Sequence, residues 1–245
     1  VIKSTGSWYL VKTSDEGVFK CKIKGRFKTQ GIKSTNPLAV GDIVSFIIQK
    51  EEGVGFINKI HDRRNYIIRK ATKLSSRSHI IAANIDHAIL VISLAFPRTS
   101  SGFIDRFLLT AEAYHIPALL VFNKIDLNDA SLQAQMNEWI GLYENIGYPC
   151  FPLSAIKGEG VEVLKEQIKN KTNLFSGHSG VGKSALINAI QPGLQLKTSD
   201  VSESNEKGIH TTTFAEMYPI DIGGYIIDTP GIKGFGVVDF KPHEI

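Results

Sequence analysis

Two rhythms divide the chain. Over the first 70 residues, apolar and polar positions alternate in short runs at 7–12, 17–23, 42–49 and 53–60, punctuated by Gly and by Asn36-Pro37. Alternation at period two, with turn residues between the runs, predicts half-buried strands. No helix-length amphipathic stretch interrupts them. The pattern therefore predicts a small barrel, either an OB-fold or an SH3-like barrel. From residue 87 onward, apolar runs alternate with segments of helical periodicity. Strands are predicted at 87–93, 117–122, 150–153, 173–176, 214–220 and 224–227, and helices at 104–115, 131–146, 161–169 and 184–190. Such alternation predicts an α/β sheet whose ligands bind beyond the carboxyl ends of the strands. Residues 71–83 read as a linker or an early strand, which divides the chain at 1–70, 71–83 and 84–245.

The predicted strand ends carry the chemistry. Gly177-His178-Ser179-Gly180-Val181-Gly182-Lys183-Ser184 matches G-x-x-x-x-G-K-[ST], between a predicted strand and a predicted helix. In such a loop the glycines let backbone N–H groups turn inward around phosphate oxygens at a helix N-terminus. Gly177, Ser179, Gly180, Val181, Gly182 and Ala185 are the backbone candidates; Lys183 adds a point charge and the Ser184 hydroxyl a ligand for Mg²⁺. Asn123-Lys124-Ile125-Asp126 matches N-K-x-D, the guanine-reading sequence of GTPases. The Asp126 carboxylate can accept hydrogen bonds from guanine N1–H and N2–H₂, which adenine does not offer. Asn123 would brace the loop or meet N7, and the Lys124 stem would lie over the base. Ser154-Ala155 follows the next strand and would bring the Ala155 N–H to guanine O6. Asp228-Thr229-Pro230-Gly231 matches D-x-x-G. Asp228 would hold Mg²⁺ through water, and the Gly231 N–H would meet the γ-phosphate.

The order of these motifs is unusual, because the base-reading sequence precedes the phosphate loop. Together with His210-Thr211-Thr212-Thr213 between the phosphate loop and D-T-P-G, this order resembles the RsgA (YjeQ/YloQ) family of circularly permuted GTPases dependent on the small ribosomal subunit. Val40-Gly41-Asp42, Arg63-Arg64-Asn65 and Ala82-Ala83-Asn84-Ile85-Asp86 also resemble that family's OB domain and junction, so the resemblance spans nearly the whole chain. It implies an N-terminal OB-fold barrel followed by an α/β P-loop GTPase domain with circularly permuted motif order. It also implies GTP hydrolysis during late maturation of the 30S subunit, with the barrel binding rRNA. By likeness to the Thr-Thr pairs of translational GTPases, Thr212 rather than Thr211 would complete the Mg²⁺ shell. Family members carry a C-terminal zinc domain with Cys and His ligands. Nothing after Lys241 supplies such a domain, so the expectation is no zinc in this chain, which is either truncated or incomplete at its end.

Charge sharpens the picture. Residues 1–70 hold 14 Lys and Arg against 6 Asp and Glu, a net +8, whereas residues 71–245 hold 14 against 18, a net −4. The basic part is the candidate for a polyanionic partner. At period two, Lys20, Lys22, Lys24, Arg26 and Lys28 share one strand face opposite Cys21, Ile23 and Phe27. A solvated face is the plain alternative, yet five cations without an interleaved acid suit contact with a phosphate backbone. Cys21 and Cys150 lack metal-site spacing. No secretory signal or membrane-length apolar run is present, so a cytoplasmic monomer without a membrane partner is expected.

Residue 232, where Ras-like proteins carry a water-orienting glutamine, is Ile, so hydrolysis is expected to be slow alone and stimulated by the small subunit. His210, beside the Mg²⁺ threonine, is the candidate to hold the attacking water. Lys183 and Gly231 would stabilise charge on the transferring phosphoryl group. His178 has no partner evident in the sequence.

Overall fold

The computed structural model describes residues 1–15, 17–23, 37–49, 53–70, 78–196 and 215–228. In chain order its strands are β1 (Lys3–Ser4), β2 (Tyr9–Lys12), β3 (Val18–Ile23), β4 (Val44–Gln49), β5 (Val54–Ile60), β6 (Tyr66–Lys70), β7 (Ser78–Ala83) and β8 (His87–Ile92). Helix α1 (Ser101–Ala113), β9 (Ala118–Phe122), α2 (Ala130–Asn145), β10 (Cys150–Pro152) and α3 (Val161–Ile168) follow. Then come β11 (Lys171–Ser176), α4 (Lys183–Ile190), β12 (Glu216–Pro219) and β13 (Gly224–Asp228).

The second part is a parallel sheet in the order β10-β9-β8-β11-β13, with β12 antiparallel at its edge. Every residue of β8 and β9 is buried, as expected of parallel strands covered on both faces. Alternate side chains serve opposite layers. Leu90 and Ile92 join Ile104 and Phe107 of α1, whereas Ile89 and Val91 join Leu164 of α3 and Leu186 of α4. Helix α2 starts where the Asp129 carboxylate accepts the Leu132 N–H at 2.8 Å, an N-cap that satisfies an otherwise unpaired donor.

The first part continues the same sheet. Strand β1 pairs with β12, and the order then runs β1-β2-β3-β5-β4. A single parallel step joins β3 to β5, and the other pairs are antiparallel. This is the five-stranded, partly open arrangement of an OB-fold. Its small core contains Tyr9, Val11, Cys21, Leu38 and Ile57. Beside β1, the Met217 N–H donates to the Ile2 carbonyl at 2.9 Å, and Lys3 Nζ meets Glu216 Oε1 at 3.0 Å.

The predicted elements form, with shifts at their ends, and two strands, β1 and β6, were not anticipated. Strand β1 has only two residues, too few for an alternation signal. Strands β6 and β7 pair as an antiparallel hairpin, so residues 78–83 take the strand form of the two left open for 71–83. Helix α1 begins at Ser101 rather than at residue 104, because Ser100 in extended backbone opens it before the first apolar side chains.

The three segments Val40-Gly41-Asp42, Arg63-Arg64-Asn65 and Ala83-Asn84-Ile85-Asp86 converge where the two parts meet. The Asp42 carboxylate is fully buried and takes two charged hydrogen bonds of 2.6 Å from Arg63, besides the Ala39 N–H at 2.8 Å. Arg63 also donates to the Pro37 carbonyl at 2.9 Å. Asn84 Nδ2 donates to the Gly41 carbonyl at 3.0 Å, and Asn65 and Ile85 exchange two hydrogen bonds of 2.8 Å. Gly41 lies at φ +90°, with the Ala83 carbonyl where a side chain would begin, so the approach requires glycine.

Removing one member of a buried ion pair leaves the other charge unpaired. The substitution Asp42→Ala is therefore expected to destabilise the barrel by about 3–5 kcal/mol. Urea unfolding followed by Trp8 fluorescence in a Trp139→Phe background measures this; a loss below about 1 kcal/mol would class the pair with surface bridges.

Candidate functional site

Three loops meet beyond the carboxyl ends of β9, β10 and β11. The loop after β11 turns through Gly177 at φ +142°, where the Val91 carbonyl lies 2.5 Å from the place of a Cβ. It enters α4 through Gly182 at φ +95°, where a Cβ would strike the Asn123 side chain. Both positions thus need glycine for close approach as well as for backbone conformation. Lys183 opens α4 and folds back, donating to the Gly177 carbonyl at 2.7 Å and the His178 carbonyl at 2.8 Å. Ser184 and Ala185 follow in the first turn, both half-buried; Val181 is buried and Ser179 exposed.

Asn123 follows β9 and is buried. Its Nδ2 donates to the Val181 carbonyl at 2.9 Å, and its Oδ1 accepts the Ala155 N–H at 3.0 Å. One side chain therefore ties the phosphate-type loop to the Ser154-Ala155 turn. Of the two tasks foreseen for Asn123, it performs the bracing one. The Ala155 N–H, foreseen near guanine O6, is directed at Asn123. Ser154 is buried, and its hydroxyl accepts the Lys157 N–H at 3.2 Å.

Lys124 adopts φ +66° and donates from Nζ to the Gly180 carbonyl at 2.6 Å and the Phe96 carbonyl at 2.7 Å. This left-handed residue turns the chain into the short 3-10 helix Ile125–Leu127. Asp126, in that turn, is half-buried and has no hydrogen-bond partner among the described residues.

Opposite the phosphate-type loop, Asp228 ends β13 beside Phe175 of β11 and across from Glu216 of β12. Burial pushes the Asp228 carboxyl pKa up, the Lys183 charge opposes that shift, and Glu216 adds to it. Burial pushes the Lys183 ammonium pKa down, with Asp228 opposing. The two groups thus support each other's charged forms. Burial, followed by the charges of Lys183 and Arg106, also lowers the His178 pKa, which favours its neutral ring. That ring stacks on Phe103 of α1, with centroids 3.9 Å apart.

On the barrel, Lys20 and Lys22 are exposed on one face of β3 and Cys21 is buried on the other, as the alternation predicts. Both ammonium groups lie over the Trp8 ring, 4.1 Å and 4.2 Å from its centroid. Trp8 was missed. Its signal was parity, since pairing Tyr9 with Cys21 puts Trp8 on the lysine side. Lys24, Arg26, Lys28, His210, Thr211, Thr212, Gly231 and Ile232 lie outside the described residues. Among the described residues, no group of three or more His, Cys, Asp or Glu side chains lies together as a metal site. No helix among them is long and apolar enough to cross a membrane.

A phosphate-type loop, an N-K-x-D turn and a Ser-Ala turn on neighbouring strand ends, in permuted chain order and behind an OB barrel, define a circularly permuted GTPase. Comparison with known proteins is specific. The RsgA GTPase domain matches residues 60–238, and the RsgA N-terminal domain matches residues 1–57. A small ribosomal subunit biogenesis GTPase RsgA from Bacteroides fragilis is 56% identical over 245 residues, covering 100% of this chain and 79% of that protein. One from Flavobacterium psychrophilum is 54% identical over 248 residues, covering 100% and 76%. The crystal structure of YjeQ from Thermotoga maritima superposes with a TM-score of 0.78 at 35% identity, over 100% of this chain and 78% of that one. That of YloQ, a circularly permuted GTPase, gives 0.70 at 27% identity, over 100% and 74%. The chain belongs to the RsgA family of GTPases.

Replacing Asn123 by Ala would orphan the buried Ala155 N–H and the Val181 carbonyl together. At about 1–3 kcal/mol for each unpaired group, GDP affinity should fall at least about tenfold. Titration with a fluorescent GDP analogue measures it, and an affinity within twofold of the original would remove Asn123 as the brace.

Proposed function

We propose that this GTPase acts on the small ribosomal subunit during its late maturation, with the basic barrel gripping rRNA. The observation that carries this reading is the continuous sheet joining a guanine-type nucleotide site to the Trp8-Lys20-Lys22 face. The relatives named as small ribosomal subunit biogenesis GTPases support the partner. The work would be done in the cytoplasm, with residues 1–70 as the RNA-binding domain, 84–245 as the GTPase domain, and a monomer as the acting form.

In this reading Asp126 accepts the N1–H and N2–H₂ of guanine. Asn123 and Lys124 hold the turn against the phosphate loop. The backbone N–H groups of 177–185 and the Lys183 ammonium surround the phosphates. Ser184 and Asp228 offer hard oxygen ligands of the kind Mg²⁺ takes, and Thr212 would complete the set. When bound, Mg²⁺ neutralises charge on the phosphate oxygens. His210 orients the attacking water once the subunit is engaged, and Gly231 contacts the γ-phosphate. With Ile232 offering no polar atom to the water, hydrolysis is slow alone.

The test is GTP turnover with and without purified small subunits across a salt series. Stimulated turnover that fades with salt is expected. Lys20→Ala/Lys22→Ala should flatten the log–log salt dependence of subunit binding by about 1.5. His210→Ala should abolish stimulation while GTP affinity persists. Salt-insensitive turnover that the subunit leaves unchanged would overturn the reading.

A further inference from the structure

His178 is a phosphate-loop side chain to which the nucleotide site described above gives no role. Its ring lies on Phe103 with centroids 3.9 Å apart and an interplanar angle of 31°. Phe103 is no loose platform: it sits in the first turn of α1, buried with Ile104 and Phe107 in the core on that face of the sheet. The stack therefore ties the first half of the phosphate loop to a fixed wall.

Two ties from the turn after β9 act elsewhere on the loop. Asn123 grips Val181 and Lys124 grips Gly180, both in its second half. At residues 177–179 the chain has just turned through a glycine, where backbone freedom is greatest. The His178 carbonyl in this stretch accepts Lys183 Nζ at 2.8 Å, and the Gly177 carbonyl accepts it at 2.7 Å. Fixing the ring of His178 thus fixes one of the two carbonyls that aim the phosphate lysine.

We propose that His178 is a positioning residue for nucleotide binding, which by stacking on Phe103 orders the phosphate loop and Lys183 before nucleotide arrives. This rests on reading 177–184 as the phosphate cradle. A loop ordered in advance loses less freedom when it binds, so the stack strengthens binding of any nucleotide that carries the inner phosphates. The γ-phosphate is not required. The imidazole acts through its flat face, so another aromatic ring would serve.

The test compares equilibrium affinities for fluorescent GDP and for a non-hydrolysable GTP analogue across the unaltered protein and four variants, each the full chain. His178→Ala should weaken both ligands equally, by about 2- to 10-fold, the range of an aromatic pair. His178→Phe should stay within about twofold of the unaltered protein. Phe103→Leu should match His178→Ala, and combining the two should add little, because each removes the same contact. Unchanged affinity in His178→Ala would overturn the proposal. A loss confined to the triphosphate would do the same, pointing to direct contact with the γ-phosphate, as would a Phe variant no better than Ala. If the unaltered chain bound neither nucleotide, the cradle reading would fall and the proposal with it; binding by the unaltered chain keeps the two failures apart.

Discussion

The amide of Asn123 is the contact on which the nucleotide site depends. Its two ends join the loop after β11 to the turn after β10, and Lys124 beside it reaches the Gly180 carbonyl. The N-K-x-D turn, the Ser-Ala turn and the phosphate-type loop are therefore one hydrogen-bonded unit. This explains why motif order along the chain can be permuted without loss of the site. Asn123 and Val181 are distant in sequence, yet β9, β8 and β11 lie side by side and deliver them to one point. Geometry depends on which strand ends are neighbours, and chain order only decides which loops connect them.

Permutation changes what is attached to the site. The barrel enters the sheet through β1, which pairs with β12, and β12 pairs with β13, the strand that ends at Asp228. Lys3 of the barrel meets Glu216, which stands directly across from Asp228. Lys12 of β2 lies over the Tyr225 ring of β13, 5.4 Å from its centroid. The second attachment is the junction built on the buried Asp42–Arg63 pair. The lysine-bearing face of the barrel and the phosphate-type site thus share one framework of strands.

Much of this was legible in the sequence, for physical reasons. A backbone cradle needs glycines at fixed intervals, and a strand covered on both faces needs an unbroken apolar run. The phosphate loop, N-K-x-D and the buried strands β8 and β9 could therefore be read directly. The lysine face of β3 was legible from parity alone. What stayed hidden depends on partners far away in the chain. Nothing local says that the Ala155 N–H turns to Asn123, that Lys124 caps carbonyls of two other loops, or that His178 lies on Phe103. Strand β1 is too short to have a period, and β6 and β7 recruit each other across a segment that reads equally well as linker.

If this knot of loops reads guanine through Asp126, exchanging that carboxylate should change which base binds. In Asp126→Asn the amide would still accept N1–H but would donate to the 2-position, which suits the carbonyl of xanthine and opposes the amino group of guanine. GDP affinity is expected to fall at least about 100-fold while XDP affinity rises above it. A variant that still preferred GDP to XDP would mean that the base is recognised somewhere other than at Asp126.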